Sequence, residues 1–283
     1  MSKNAATANT TSVNWSGYAV ETNIASPQAN AFTDVQATWI VPSVSASASS
    51  SHNNAYSSTW IGLDGDSSNS KTVEQIGIEQ DFINGKAVYY AWYEMYPKSV
   101  VKLDLVIQAG DTISAEVKYL GNNTYQLSLE DVTSGHSSTI QVQSSKPIRS
   151  SAEWIEEGTG RVADFNTVTF TNAHATAILP TGTITGSISD SAWQTEEITL
   201  VSKSGGVIAA PTPLSNDGSS FSINFANSNQ VATLTASDGS HSANVALLGQ
   251  FIASSFVTHG HAATPVSDQP ATQQQPLLAQ SHV

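Results

Sequence analysis

The 283-residue chain has no cysteine and few charged residues, and each of these shortages excludes a class of protein. Without cysteine there can be no disulfides, thiol nucleophiles, thiolate metal sites or iron–sulfur clusters. The sequence contains no run of about 18 apolar residues, so no membrane-spanning helix is predicted. Ten Lys and Arg stand against 23 Asp and Glu, which gives a net charge of −13. That balance argues against partners such as nucleic acid and anionic membranes, because both call for basic patches.

The amino terminus carries no recognisable export signal. Residues 1–13 are polar, are expected to be flexible, and lack the apolar stretch of a secretory signal peptide. The protein is therefore cytoplasmic, has lost its signal, or is exported through another signal. Composition does not choose among these three.

Residues 14–227 show the pattern of one antiparallel all-β domain. Short alternating runs are separated by Gly, Asn, Asp and Ser, and no helix of ten residues is predicted there. One run alternates up to Tyr119 and the next begins at Tyr125, with Gly121-Asn122-Asn123 between them, which predicts a hairpin. A long aromatic strand is predicted from Val88 to Tyr96.

Residues 228–283 differ in composition and are predicted to be a C-terminal extension. Apolar residues fall at helical spacing over Ala243–Phe256, which predicts a short amphipathic helix. The last residues, from Pro265, contain a glutamine run and are expected to be disordered. The helical stretch resembles the uncleaved C-terminal address of bacterial type I secretion, and a dimerisation helix or a linker explains it nearly as well.

Several catalytic and metal motifs can be set aside. There is no Gly-x-Ser-x-Gly turn for a serine hydrolase, and the seven His are scattered. His259 and His261 form a pair without a third metal ligand nearby. The stretch that begins at Asp64-Gly65-Asp66 starts like a calcium loop but lacks its Gly and closing Glu, so a polar turn is the better interpretation.

What remains is a set of carboxyl groups among aromatic residues. Strand alternation places Trp92, Glu94 and Tyr96 on one face of a strand. Three glutamates surround Trp154-Ile155 in the segment Ala152–Glu157. Each glutamate alone could be a solvated strand residue and each tryptophan a core residue. A carboxyl on an aromatic face costs desolvation energy, however, so the repeated pattern favours a functional site.

At this point the sequence resembles the glutamic peptidases, the eqolisin family of acid endopeptidases. The resemblance spans about Asn14 to Phe225. It rests on seven blocks in the family's order: Asn14–Val20, Phe32–Val35 leading to Val41-Pro42-Ser43, Trp60–Asp66, Gln75-Ile76-Gly77, Ala91–Pro97, Ala152–Glu157 and Val168–Ala173.

The resemblance implies a fold and a catalytic pair. The fold is an antiparallel two-sheet β-sandwich, concanavalin A-like or lectin-like, with a substrate groove on one bent sheet. The implied catalytic residues are Gln75 and Glu157. Glu156 stands where the family usually has an aliphatic residue, and alternation sends Glu156 and Glu157 to opposite faces of their strand.

The resemblance also implies the residues beside the pair. Substrate-binding positions in the groove would be Trp60, Asp64, Glu79, Trp92 and Glu94. Asp64 and Glu94 would orient Gln75 or receive polar groups of the substrate. The aromatic rings would form the floor against which peptide side chains pack.

The sequence therefore predicts an acid endopeptidase that needs no metal or cofactor, resists pepstatin, acts on proteins or peptides, and is a secreted monomer. The main alternative is a carbohydrate-binding or glycan-cleaving β-sandwich, because aromatic platforms and paired carboxyls also suit sugars. A catalytically silent binding module is the third. The low count of basic groups also predicts a fold that is more stable near pH 4 than near pH 8.

Overall fold

The computed structural model describes residues 7–46, 54–67, 69–158 and 160–226, together with the backbone of 231–237 and 242–248. Within these ranges the chain forms strands and turns and no helix. The strands are β1 (Thr7–Ser12), β2 (Trp15–Glu21), β3 (Phe32–Ile40), β4 (Ser58–Leu63), β5 (Val73–Ile83), β6 (Lys86–Tyr96), β7 (Val101–Lys102), β8 (Thr112–Gly121), β9 (Thr124–Asp131), β10 (His136–Gln143), β11 (Ser151–Glu157), β12 (Thr167–Leu179), β13 (Gly182–Ser187), β14 (Gln194–Val201), β15 (Val207–Pro211), β16 (Phe221–Phe225), β17 (Val231–Ser237) and β18 (Ser242–Leu248).

Sixteen of these strands form one open hydrogen-bonded network. Its order is β10-β9-β8-β3-β12-β16-β15-β14-β2-β11-β4-β5-β6-β7, with β1 attached to β14 and β13 attached to β12. The pairs between these strands are antiparallel apart from β1 with β14, which run parallel. The predicted antiparallel all-β sandwich is confirmed.

The network folds back on itself as two layers around one apolar core. β3 packs against β4 and β11, and β8 and β9 pack against β5. The core between them joins Trp39 and Leu127 of one layer to Ile61 and Ile76 of the other, all buried. Burial of each such side chain stabilises the fold by roughly 1.5–3 kcal/mol.

The predicted hairpin is present as β8 and β9. Tyr119 lies opposite Tyr125, and Asn122 and Asn123 at the turn have φ of 50° and 56°. Asparagine tolerates this left-handed backbone better than most residues, which is why the sequence signal was reliable.

The second layer has an outer face that is also buried, which we call the site face. It is formed by β14, β2, β11, β4, β5 and β6. Its apolar residues are Trp15, Ala19, Trp60, Val73, Trp92, Ile155 and Ile198. β4 and β5 approach closely at Gly77. A Cβ at this position would lie only 2.4 Å from the carbonyl oxygen of Thr59, so there is no room for a side chain.

The amino-terminal prediction is wrong for Thr7–Ser12. These residues form β1, which pairs with β14 from Thr7 opposite Thr195 to Ser12 opposite Leu200. Backbone pairing with β14 orders this polar segment, and Thr suits a strand. Residues 1–6 lie outside the described part of the chain.

The helix prediction is wrong for residues 243–248, which belong to β18 and pair with β17. Ala232, Leu234 and Ala236 alternate with polar residues along β17, and an Asp238-Gly239 pair follows in the sequence. That combination is a strong hairpin signal and outweighs the helical spacing. The rest of the predicted helix, the tail from Pro265 and the His259–His261 pair lie outside the described residues. None of the described residues forms a helix long and apolar enough to cross a membrane.

Candidate active site

Trp60 and Glu157 meet on the site face from neighbouring strands. β4 and β11 are antiparallel, with Glu157 opposite Ser58. The indole Nε1–H of Trp60 donates a hydrogen bond to Glu157 Oε2 at 3.0 Å. Trp60 is fully buried and Glu157 is 4% exposed. The bond therefore fixes the carboxyl group in a nearly dry environment.

Gln75 and Glu94 form a second polar contact on the same face. They lie opposite each other on β5 and β6, and Gln75 Nε2 donates to Glu94 Oε2 at 2.7 Å. Both side chains are buried. An amide nitrogen carries two hydrogens, so this bond leaves one N–H of Gln75 for another acceptor.

The indole ring of Trp60 spans the space between these two contacts. A Cβ at Gly62 would lie 3.1 Å from Cζ3 of Trp60 and 3.2 Å from Cβ of Gln75. Nε1 and Cζ3 are at opposite edges of the ring, so one edge touches Glu157 and the other lies beside Gln75. The structure thus brings Gln75 and Glu157 to one face with an indole between them.

The environment of Glu157 opposes its ionisation. Burial raises the pKa of Glu157 to about 8, and the charge of Glu94 acts in the same direction. Hydrogen bonds from Asn14 and Trp60 favour the ionised form. Burial likewise raises the pKa of Glu94 to about 7 against the hydrogen bond from Gln75.

Glu156 points away from this face, into the core between the layers. Its carboxyl accepts hydrogen bonds from Thr59 Oγ1 at 2.6 Å and from Gln80 Nε2 at 2.9 and 3.0 Å. Burial raises its pKa to about 8. Alternation along β11 therefore separates Glu156 from Glu157, and of the two only Glu157 lies on the site face.

Asp64 does not have the predicted role of orienting Gln75. Its Oδ2 accepts from the backbone N–H of Ile148 and Arg149, at 2.9 and 2.6 Å. Its Oδ1 accepts from the backbone N–H of Ser150 at 2.8 Å. Both oxygens thus tie the end of β4 to the segment before β11, and a contact between Asp64 and polar groups of a substrate stays a prediction. A carboxylate at a turn commonly satisfies backbone N–H groups in this way.

Glu79 and Trp92 also lie on the site face, close to Glu157 and Trp60 respectively. Ser58 of β4 lies between Glu79 of β5 and Glu157 of β11 and is paired with both. Burial raises the pKa of Glu79, and the charge of Glu157 is among the further causes. Trp92 lies opposite Gly77 and packs in the same apolar cluster as Trp60.

Asn14 is a further residue that contacts Glu157, and the sequence alone did not assign it to the site. The Nδ2 of Asn14 is 3.4 Å from Glu157 Oε1, to which it donates, and the backbone N–H of Gly158 donates to the Asn14 carbonyl at 2.8 Å. Asn14 is located in the link between β1 and β2, more than a hundred residues from Glu157 in sequence. Its place at the start of one block of the resemblance was the available signal.

A separate group of buried carboxyls occupies one end of the site face. It comprises Glu21 of β2, Asp66 of the loop after β4, Glu153 of β11 and Glu196 of β14. Burial, then the charges of Glu196 and Asp64, raise the pKa of Glu21 to about 8. The pKa values of Asp66 and Glu153 are raised well above the ordinary range, mainly by burial. These groups fit together when neutral and repel one another when ionised.

No group of three or more His, Asp or Glu in the described ranges is placed to hold a metal ion. The site face itself presents a carboxyl, an amide and an aromatic surface. A polar cleft of about 530 Å³ lies elsewhere, on the outer face of β3, β8 and β9, and its lining contains no aromatic side chain.

Comparison with known proteins identifies the family. The sequence profile of the Peptidase A4 family matches residues 13–210. The chain belongs to the Peptidase A4 family. The matched range includes both halves of the site, from Asn14 to Glu157.

Two known proteins are similar in sequence to this chain. Aspergillopepsin-2 of Aspergillus niger is 33% identical over 171 residues, which are 52% of this chain and 60% of that protein. Scytalidopepsin B of Scytalidium lignicola is 32% identical over 130 residues, which are 44% of this chain and 46% of that protein. The chain thus spans about half the length of these relatives.

Solved structures of two glutamic peptidases share the fold. Scytalido-glutamic peptidase with a transition state analog inhibitor superposes with a TM-score of 0.58 at 22% identity, covering 76% of this chain and 98% of that one. Aspergilloglutamic peptidase from Aspergillus niger gives a TM-score of 0.52 at 27% identity, covering 61% of this chain and 99% of that one.

Proposed function

We propose that the protein is an acid endopeptidase in which Glu157 and Gln75 carry out the hydrolysis of peptide bonds. The observation that carries the proposal is the placement of these two side chains on one buried face, on either side of Trp60, in a Peptidase A4 chain. The related solved structures are named as glutamic peptidases, which agrees with a glutamate, Glu157, as the proposed catalytic carboxyl.

Glu157 would act as the general base and then as the general acid. Its carboxylate takes a proton from water while the water oxygen bonds to the peptide carbonyl carbon. The same proton then passes to the departing amine nitrogen as the C–N bond breaks, which regenerates the carboxylate. Proton transfer by a positioned group contributes typically about 10²–10⁴-fold to the rate.

Gln75 would stabilise the oxyanion that forms during this attack. One N–H of its amide is held by Glu94, and the other can donate to the developing negative charge. Such a donor already in place is typically worth about 3–4 kcal/mol of barrier. The amide does not titrate, so it serves equally at any acidic pH.

The mechanism requires an ionised Glu157, and burial alone works against that state. A pKa of about 8 would leave the carboxyl protonated throughout the acidic range. Entry of water and substrate into the site must therefore lower the pKa, with the help of the donors Asn14 and Trp60. The acid limb of the pH–rate profile reports the resulting pKa of Glu157 in the working enzyme.

Proteins and peptides are the proposed substrates, with Trp60 and Trp92 as an apolar surface for their side chains and Glu79 beside Glu157. We also propose that the enzyme works outside the cell, because a catalyst with an acidic optimum needs an acidic compartment. A C-terminal signal for type I secretion and a monomeric state remain predictions of the sequence.

The test is digestion of a denatured protein between pH 2 and pH 7, with and without pepstatin. Glu157→Gln and Gln75→Ala should each abolish cleavage, whereas Glu156→Gln is the matched control and should retain it. Cleavage should continue in pepstatin, because the pair contains only one carboxyl. Equal activity in Glu157→Gln and the control would overturn the assignment. Turnover of a polysaccharide without peptide cleavage would favour the glycan alternative.

A further inference from the structure

The link between β1 and β2 carries a short chain of hydrogen bonds that ends on Glu157. Ser12 Oγ donates to Asn14 Oδ1 at 2.9 Å, and Asn14 Nδ2 donates to Glu157 Oε1 over 3.4 Å. Ser12 and Asn14 are both buried. Trp60 donates to the other carboxyl oxygen, so both oxygens of Glu157 accept a hydrogen bond.

The hydrogen-bond inventory of Ser12 fixes the direction of this chain. Its hydroxyl oxygen accepts from the backbone N–H of Asn14 at 3.2 Å and from that of Trp15 at 3.1 Å. A hydroxyl has two lone pairs and one hydrogen, so its hydrogen must be donated to a third group. The atom of Asn14 that faces Ser12 must therefore be the acceptor oxygen, which leaves the amide NH₂ facing Glu157.

The backbone holds Asn14 in register with Glu157. The N–H of Gly158, the residue after Glu157, donates to the carbonyl of Asn14 at 2.8 Å. Ser12 in turn is the last residue of β1, which is fixed along β14. Asn14 cannot move away from the carboxyl without breaking this backbone contact.

We propose that Asn14, oriented by Ser12, is a positioning residue that keeps Glu157 aligned and ionised for proton abstraction. This inference rests on the proposed function of Glu157. A donor to a carboxylate stabilises the charged form, and here it counters burial and the charge of Glu94, which both oppose ionisation of Glu157. Glu79 of β5 also faces Glu157, and its own pKa is raised well above the ordinary range, first by burial. A residue that merely completed the β1–β2 turn would affect folding and leave the titration of Glu157 unchanged.

The experiment compares Asn14→Leu, Ser12→Ala and Ser12→Thr in the full chain. Two readouts are used: the acid limb of kcat/KM against pH, and the titration midpoint of the Glu157 carboxyl carbon by NMR, assigned by its loss in Glu157→Gln. Loss of a hydrogen bond to a charged group should move both upward by about one pH unit in Asn14→Leu. kcat/KM at a pH below the limb should then fall about tenfold.

Ser12→Ala should shift both readouts in the same direction by a smaller amount, and Ser12→Thr, which keeps the hydroxyl, should restore wild-type values. If Asn14→Leu does not fold, the Ser12 pair still decides the question. A lower melting temperature with no change in either readout would overturn the proposal. A wild type that cleaves no peptide would overturn the proposed function, and the NMR titration would still decide the role of Asn14.

Discussion

The amide of Gln75 is joined to the carboxyl of Glu94 across β5 and β6, with 2.7 Å between Nε2 and Oε2. This bond from Nε2 alone fixes the rotation of the amide, because Gln75 Oε1 accepts no hydrogen bond in the described structure. Glu94 thus sets the direction in which the remaining N–H of Gln75 points.

Replacement of Glu94 should therefore act through Gln75. Burial raises the pKa of Glu94 to about 7, so the group is neutral in acid and Glu94→Gln keeps an equivalent acceptor oxygen. Glu94→Leu removes the acceptor and should lower kcat about tenfold, as expected for loss of an orienting hydrogen bond. Steady-state kinetics at acidic pH provide the measurement. Equal rates in the Leu and Gln variants would contradict the role.

Two glycines on the site face should respond differently to an added methyl group. A Cβ at Gly77 would meet the Thr59 carbonyl at 2.4 Å and Trp60 Cβ at 2.5 Å, so β4 and β5 would have to separate. Gly77→Ala should cost about 1–3 kcal/mol or more of folding stability, as overpacking does. Chemical denaturation measures this cost, and a stable Gly77→Ala protein would show that the strands are less closely packed.

Gly62→Ala should instead impair catalysis more than folding. The new methyl would lie 3.1 Å from Trp60 Cζ3, 3.2 Å from Gln75 Cβ and 3.3 Å from the Glu74 carbonyl oxygen, contacts that shifts of a few tenths of an ångström relieve. Because the displaced indole lies between Gln75 and Glu157, kcat should fall while the melting temperature changes little. Loss of stability as large as that of Gly77→Ala would contradict this prediction.

Stability should fall as the pH rises from about 4 to about 8. Burial raises the pKa of Glu21, Glu156 and Glu157 to about 8, above the ordinary value of about 4.3. Between these limits the folded protein binds more protons than the unfolded chain, so unfolding becomes easier with increasing pH. The stabilisation is fully present below the ordinary pKa and is lost through pH 8. Melting curves across this range test it, and a melt that falls on acidification from pH 7 to pH 4 would refute it.

Glu156→Gln should reduce the loss of folding stability that accompanies a rise in pH. At pH 4 the wild-type carboxyl is protonated, so the uncharged amide should change stability little. Above pH 8 the wild-type group must ionise in the core, whereas the amide cannot, so the variant should be the more stable protein there. The difference between the two melting temperatures at pH 4 and pH 8 measures the effect. A variant that is less stable by the same amount at both values would show that the hydrogen bonds of Glu156 to Thr59 and Gln80 dominate.

The sequence predicted the features that depend on local pattern. Alternation identified the β domain, the Tyr119–Tyr125 hairpin and the opposite directions of Glu156 and Glu157, because the two-residue period of a strand is a local property. Features set by distant contacts were missed. The carboxyl of Asp64 accepts hydrogen bonds from the backbone of residues 148–150, and β1 is ordered by pairing with β14. The neighbouring sequence of each segment gives no sign of these distant contacts. The β17–β18 hairpin was a local error, since its Asp238-Gly239 signal was visible in the sequence.

The parallel pairing of β1 with β14 has a consequence for the newly made protein. Thr7 pairs with Thr195, so the ribosome must complete almost the whole domain before the first strand finds its partner. Contacts of such long sequence separation form late in folding. β14 also contributes Ile198 to the site face, so that face is completed only when this part of the chain has been made. A growing chain would therefore carry the proposed proteolytic centre in an unfinished state, which would protect the cell that synthesises it from premature digestion.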